Sequence, residues 1–137
     1  MALSWGISHP YLLVLVVAKG EVRPHEFARL LESIDRANAR PYRKIIDVTG
    51  LTSMFTADML RNFASTIRRR EDEHVVGPIA IVAGSPEVHD QATQFAKQAQ
   101  GSRLIRVFQQ QSGARRWLDG FYTHEGLNRL GRIGAPT

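Results

Sequence analysis

The 137-residue chain contains no cysteine. That removes disulfides, thiolate nucleophiles and every cysteine-based zinc or iron–sulfur site from consideration, and it fits a reducing cytoplasm. Lysine is nearly missing too: Lys19, Lys44 and Lys97 are the only three, so arginine carries most of the net charge of +5. A basic balance invites a nucleic-acid reading. The arginines, however, are spread along the chain apart from "RRR" at residues 68–70, whereas nucleic-acid binders group their charges with exposed aromatics for stacking. A GC-rich genome is enough to produce an alanine- and arginine-rich, lysine-poor composition without any nucleic-acid ligand, and nucleic acid is not expected as a partner.

Long apolar runs are absent as well. The one stretch that resembles a targeting signal, "YLLVLVVA" at residues 11–18, is far short of the roughly 20 residues that cross a bilayer. No Lys or Arg precedes it, so the positive flank of a secretory signal is missing. It reads as a buried strand, and the expectation is a soluble, cytoplasmic protein without a transmembrane segment. Catalytic signatures are lacking: there is no G-x-S-x-G and no H-E-x-x-H, and His9, His25, His74, His89 and His124 show no ligand spacing. No catalytic residue, metal or cofactor is expected. Repeats and low-complexity blocks do not occur either.

What is present suits one globular domain: 43% hydrophobic and 23% charged residues in a chain long enough to bury a core. Residues 2–8 and 11–18 read as two strands joined at His9-Pro10. Pro24 then opens a helix whose Phe27, Leu30, Leu31, Ile34 and Ala37 form one apolar stripe, with Glu26, Arg29, Glu32 and Arg36 facing away. "RKIIDV" at 43–48 is a short strand, followed by a helix over 56–71 that buries Met59, Leu60, Phe63 and Ile67. "GPIAIVAG" at 77–84 fits a strand covered on both faces. Ser85, Pro86 and Glu87 mark a helix start with Val88, Ala92, Phe95 and Ala99 on its inner face. "LIRVF" at 104–108 is the last strand, and a final helix from Ser112 carries Trp117, Leu118 and Phe121. We place one domain over 1–121 and a tail over 122–137, mobile or packed on a neighbour.

The order ββαβαβαβα implies an α/β fold with a mixed sheet of about five strands, an N-terminal hairpin and four helices. Ligands of such sheets bind beyond the carboxyl ends of the parallel strands, which here carry "TGLTSMFTA" and "AGSPE". With those two loops in that order, the chain resembles the STAS superfamily, in particular its SpoIIAA-like branch. "KGEVRPHEF" is similar to that branch's turn into its first helix. "IIDVTGL" is similar to the passage that leads, in anti-sigma-factor antagonists, to a phosphorylated serine. "IAIVAGSPE" and "IRVFQQQSGARRWL" are similar to its closing block. The match spans residues 12–118.

The resemblance implies a non-enzymatic bacterial regulatory module that acts by protein–protein interaction, through the loop of residues 49–58 and the helix after it. Laid over the antagonists' pattern, the acid position falls on Phe55, the serine positions on Thr56 and Ala57, and the glycine on Asp58. Thr56 alone keeps a hydroxyl and is the candidate phosphoacceptor, although Asp58 beside it would repel an incoming phosphate. Thr56 also suits an N-cap, with Asp58 complementing the helix dipole. A binding rim would draw on Thr49, Gly50, Thr52, Ser53, Thr56, Asp58, Gly84 and Ser85.

The layout also resembles lipid-carrying Sec14-type domains, which implies an alternative: a carrier or sensor of a small apolar, lipid-like or anionic ligand. A partner surface predicts exposed apolar residues along the second helix. A ligand pocket predicts a cavity lined by Phe27, Phe63 or Phe95. An enzyme would need Asp47 and Asp58 in one cleft, yet Asp47 can equally bond backbone amides in the loop that follows it. The opening hairpin leaves an exposed sheet edge, so a homodimer is a further expectation.

Overall fold

In the computed structural model, which describes residues 2–73, 76–99 and 104–122, β1 (Leu3–Ser8) and β2 (Leu13–Gly20) pair antiparallel, Leu3 opposite Ala18 and Ser8 opposite Leu13. Three strands are then added parallel, one beside the next: β3 (Arg43–Leu51), β4 (Ile79–Val82) and β5 (Ile105–Phe108). Sheet order equals chain order, with β1 and β5 at the two edges. Every parallel connection steps the same way. Right-handed crossovers therefore lay α1 (Pro24–Arg36), α2 (Ala57–Glu73) and α3 (Pro86–Ala99) on one face. A fourth helix, α4 (Gln111–Asp119), closes the other face, where Ala114 and Leu118 pack on Ile45, Ala80 and Val82.

Strand alternation keeps the two layers apart. Val14, Val16 and Ile46 point toward the three helices, while Leu13, Leu15 and Ile45 point toward α4. The order ββαβαβαβα read from the sequence is the observed one, with a short 3-10 turn, Gly120–Tyr122, added at the end. Proline starts two helices as its missing N–H and fixed φ dictate: Pro24 opens α1 and Pro86 opens α3. Asn38, with φ of 55°, turns the chain after α1. The tail expectation for 122–137 falls almost wholly outside the described residues.

Three local expectations are corrected. First, β3 runs three residues past Val48, so Thr49 and Gly50 belong to the strand and not to the loop. The cause is tertiary: after an irregularity between Val17 and Lys19, Gly50 pairs with Lys19 and Leu51 with Gly20. Gly50 permits that approach, since a Cβ there would stand 3.1 Å from the Ala18 carbonyl oxygen. Second, Glu26 does not face solvent. It is buried where the first turn of α1 meets the start of β1, and its Oε1 accepts the Ala2 N–H at 3.4 Å. Third, the "RRR" group, which the sequence places at a solvated helix end, is divided. Arg68 and Arg69 are exposed, while Arg70 folds onto Asp35 of α1, which also accepts from Arg40 at 2.8 Å.

Candidate functional site

The carboxyl ends of β3 and β4 lie side by side, as parallel pairing of Asp47 with Val82 requires. The loops that leave them form one rim. A Cβ on Gly84 would come within 3.7 Å of Thr49 Cγ2, so the two passages singled out from the sequence do meet. Their hydroxyls are largely engaged within their own segments. Thr56 Oγ1 accepts the Met59 N–H at 3.1 Å and caps α2, and Ser85 Oγ accepts the Val88 N–H at 3.3 Å and caps α3. Thr49 donates both its N–H and its hydroxyl to Asp47, at 2.9 and 2.6 Å. Thr52 donates its N–H to the Gly20 carbonyl at 3.0 Å, and its side chain, like that of Ser53, is exposed.

The two acids are held by different partners. Asp47 also accepts from Gln111 Nε2 at 3.1 Å, on the α4 side of the sheet. Burial works against its ionisation, but the bonds from Thr49 and Gln111 and the nearby Lys19 outweigh that, leaving the carboxyl below its ordinary value. Asp58 is exposed and pairs with Arg61 one turn along α2. Among the described residues no group of three or more His, Asp or Glu converges as a metal site.

Directly beneath the rim, between the sheet and α1–α3, lies a cavity of about 100 Å³. Its floor is the sheet, with Val16, Ala18, Ile46, Val48 and Ile81. The helices supply Phe27 and Leu30 from α1, Leu60 and Phe63 from α2, and Val88, Ala92 and Phe95 from α3. All three phenylalanines expected of a ligand pocket thus line one space. An aromatic row crosses it: Phe27 stacks tilted on Phe63 with centroids 4.4 Å apart, and Phe55 meets Phe63 edge-on at 5.6 Å. These geometries suit ring quadrupoles and add to the burial term.

Phe55 comes from the rim loop, and a residue overlooked in the sequence holds it there. Gln91 of α3 accepts the Phe55 N–H through Oε1 at 3.1 Å and donates from Nε2 to the Phe55 carbonyl at 2.6 Å. The backbone N–H is a donor only, which orients the amide without ambiguity. Among the described residues, Gln91 is also the one polar side chain in the cavity wall. A sequence signal was there: Val88, Gln91, Ala92 and Phe95 are spaced i, i+3, i+4 and i+7, so a glutamine interrupts an apolar stripe.

A crystal structure of an uncharacterized protein of the DUF3478 family from Shewanella loihica PV-4, described as having a SpoIIAA-like fold, superposes with a TM-score of 0.60. The alignment covers 85% of this chain and 93% of that one, at 16% identity. The fold is SpoIIAA-like. No family model and no curated protein matches the sequence. At that identity the likeness speaks for the architecture alone, and the residues of this SpoIIAA-like chain must carry any statement about its site. Among the described residues, no helix is long and apolar enough to cross a membrane.

Proposed function

We propose that this SpoIIAA-like domain is a binding module whose ligand is a small apolar or lipid-like molecule held between the sheet and helices α1–α3. It acts by binding and not by chemistry: Asp47 and Asp58, the pair an enzymatic reading needs, serve Thr49 and Gln111 on one side and Arg61 on the other. The observation that carries the reading is the cavity itself. Protein interiors pack to near-crystalline density with few voids larger than a water, so a partly open apolar space of about 100 Å³ beneath three helices leaves its lining side chains short of packing partners. A ligand that fills it supplies those partners. Engineered apolar cavities of about 150 Å³ stay dry and take up benzene, so this one suits a single small ring or a short alkyl segment. The exposed face of α2 speaks in the same direction: Asp58, Arg61, Asn62, Ser65, Arg68 and Arg69 occupy it, where a partner-binding helix would present apolar side chains.

The test is a thermal melt with and without cumene or toluene, together with an organic extract of protein purified from its own cells. Each millimolar hydrocarbon should raise Tm, as mass action requires of anything that binds the folded state only, and the extract should contain an apolar compound. No Tm shift and an empty extract would remove the reading.

A second reading, a regulatory protein-interaction module, is favoured by one feature. Met54 stands 48% exposed on the rim loop, two residues before the exposed Thr56. Phosphate on the tryptic peptide "IIDVTGLTSMFTADMLR", residues 45–61, would put that reading first.

A further inference from the structure

We propose that Gln91 is the polar anchor of the cavity, selecting ligands that end in a primary amide, a lactam or a protonated carboxylic acid. It does so by exchanging the two hydrogen bonds it now makes to the Phe55 backbone. The proposal rests on the ligand-binding reading above and specifies its chemistry.

The side-chain amide of Gln91 offers one acceptor and one donor edge, and the rim loop satisfies both with the N–H and C=O of a single residue, at 3.1 and 2.6 Å. Phe55 thus presents a donor and an acceptor side by side. A ligand group that replaces it must present the same pair. A primary amide or a protonated acid does so in one plane, and the exchange then trades two hydrogen bonds for two, leaving no buried polar group unsatisfied. A ketone or ester can meet Nε2 only, and Oε1 loses its partner. A carboxylate sets an oxygen against Oε1 and also brings an unpaired charge into an apolar space, which is costly. A pure hydrocarbon leaves the Phe55 link intact and fills the existing space alone.

The exchange ties recognition to the rim. Released from Gln91, the Phe55 backbone turns to water, and its ring gives up the edge-on contact with Phe63. The space under the loop then grows beyond about 100 Å³. A ligand of the right head group therefore makes its own room, and one without it does not.

Three probes of similar shape decide the matter on the full-length wild-type protein: benzamide, acetophenone and cumene. Binding is followed by 1H–15N NMR titration, reading the Phe55 backbone amide and the Gln91 side-chain NH2. Benzamide should bind at least about tenfold more tightly than acetophenone, as expected where a site's hydrogen-bonding group would otherwise be left unpaired. It should also remove the hydrogen-exchange protection of the Phe55 amide, whereas cumene should bind and leave that protection in place. In Gln91→Met, a substitution of similar volume, the tenfold preference of benzamide over acetophenone should vanish, and a preference that persists there would overturn the anchor. Equal affinity of benzamide and acetophenone for the wild type, with cumene still bound, would overturn the anchor and leave the cavity reading standing. Failure of all three probes to bind would overturn both.

Discussion

On the α4 side of the sheet, Ile45, Ala80 and Val82 meet Ala114 and Leu118 with almost no exposed surface among them. On the opposite side three helices cover the same strands, and a hole remains. The α4 side has a larger cleft of its own, about 240 Å³, with Leu13, Ile45 and Leu118 at its base and Tyr11, Arg43, Arg115 and Asp119 around it. Arg43 there donates to the carbonyls of Leu118 and Tyr11 at 3.2 and 3.1 Å, and burial brings its pKa down to about 10 against the pull of Asp119. One layer thus pins a single helix firmly. The other spreads three helices around an apolar pocket, with the Gln91–Phe55 link at its wall and, farther along the helices, a polar link from Asp35 to Arg70 and Arg40. Covering a sheet and filling the space beneath the cover are separate outcomes: the α4 side leaves a cleft with charged residues around it, and the three-helix side leaves an apolar pocket.

The sharpest way to break this comparison is a matched pair of truncations. Leu118→Ala removes a side chain that is 1% exposed and packs on Ile45, Ala80 and Val82, with the cleft beside Tyr11 and Arg43 at its flank, and should cost about 3–5 kcal/mol. Leu60→Ala removes one that already borders the void. Its atoms have fewer neighbours to lose, so the cost should be smaller by about 1 kcal/mol or more. Urea denaturation of both variants measures the difference, and equal costs would mean that the two faces are equally well packed.

The polar link between α1 and α2 comes next. Burial opposes ionisation of Asp35, but the hydrogen bonds and charges of Arg70 and Arg40 outweigh it and hold the carboxyl well below the usual carboxylate range. Because the folded-state pKa is depressed, the stabilisation is fully present above the unfolded value near 4 and is lost as pH falls through the folded one. Arg70→Met should cost about 1.5–3 kcal/mol at pH 7, with the gap from wild type narrowing at pH 3. A gap that is the same at both pH values would show that Arg70 acts through packing alone.

These side chains also mark how much could be read from the sequence. The stripes that send Phe27, Phe63 and Phe95 inward follow from helical spacing, and with them the α/β order. Periodicity says which way a side chain points. It does not say whether three inward-pointing rings meet or leave a gap, because that depends on how far apart the helices sit on the sheet. Thr49 and Gly50 read as loop by composition and became strand because Lys19 and Gly20 were there to pair with. Glu26 read as exposed because its burial comes from β1, a neighbour more than 15 residues away in sequence. Gln91 was visible as a polar break in an apolar stripe, but its partner, a backbone 36 residues away, was not.

Thr56→Ala tests the rim without touching the void. The hydroxyl caps α2 through the Met59 N–H, so its loss should cost about 1 kcal/mol. Affinity for cumene should be unchanged if the cap and the cavity are independent. A change in hydrocarbon affinity would tie the start of α2 to the pocket.

The smallest expected change in stability carries the most information about the void. Ala92 is 8% exposed and lines the cavity from α3. Ala92→Val adds two carbons on that side, where they displace empty volume. The gain from burying them, about 0.8 kcal/mol per methylene-sized group, is reduced by the lower helix propensity of a β-branched residue and by incomplete contact in a partly open pocket. The net effect should be a stabilisation of about 0.5 kcal/mol, together with a clear loss of cumene binding. The same added bulk on the α4 side, in Ala114→Val, has no void to enter: Ala114 is fully buried, and overpacking there should cost about 1–3 kcal/mol. Opposite signs for one chemical change on the two faces would establish that the space under α1–α3 is real and empty. A cost on both faces would mean that the helices already close upon it.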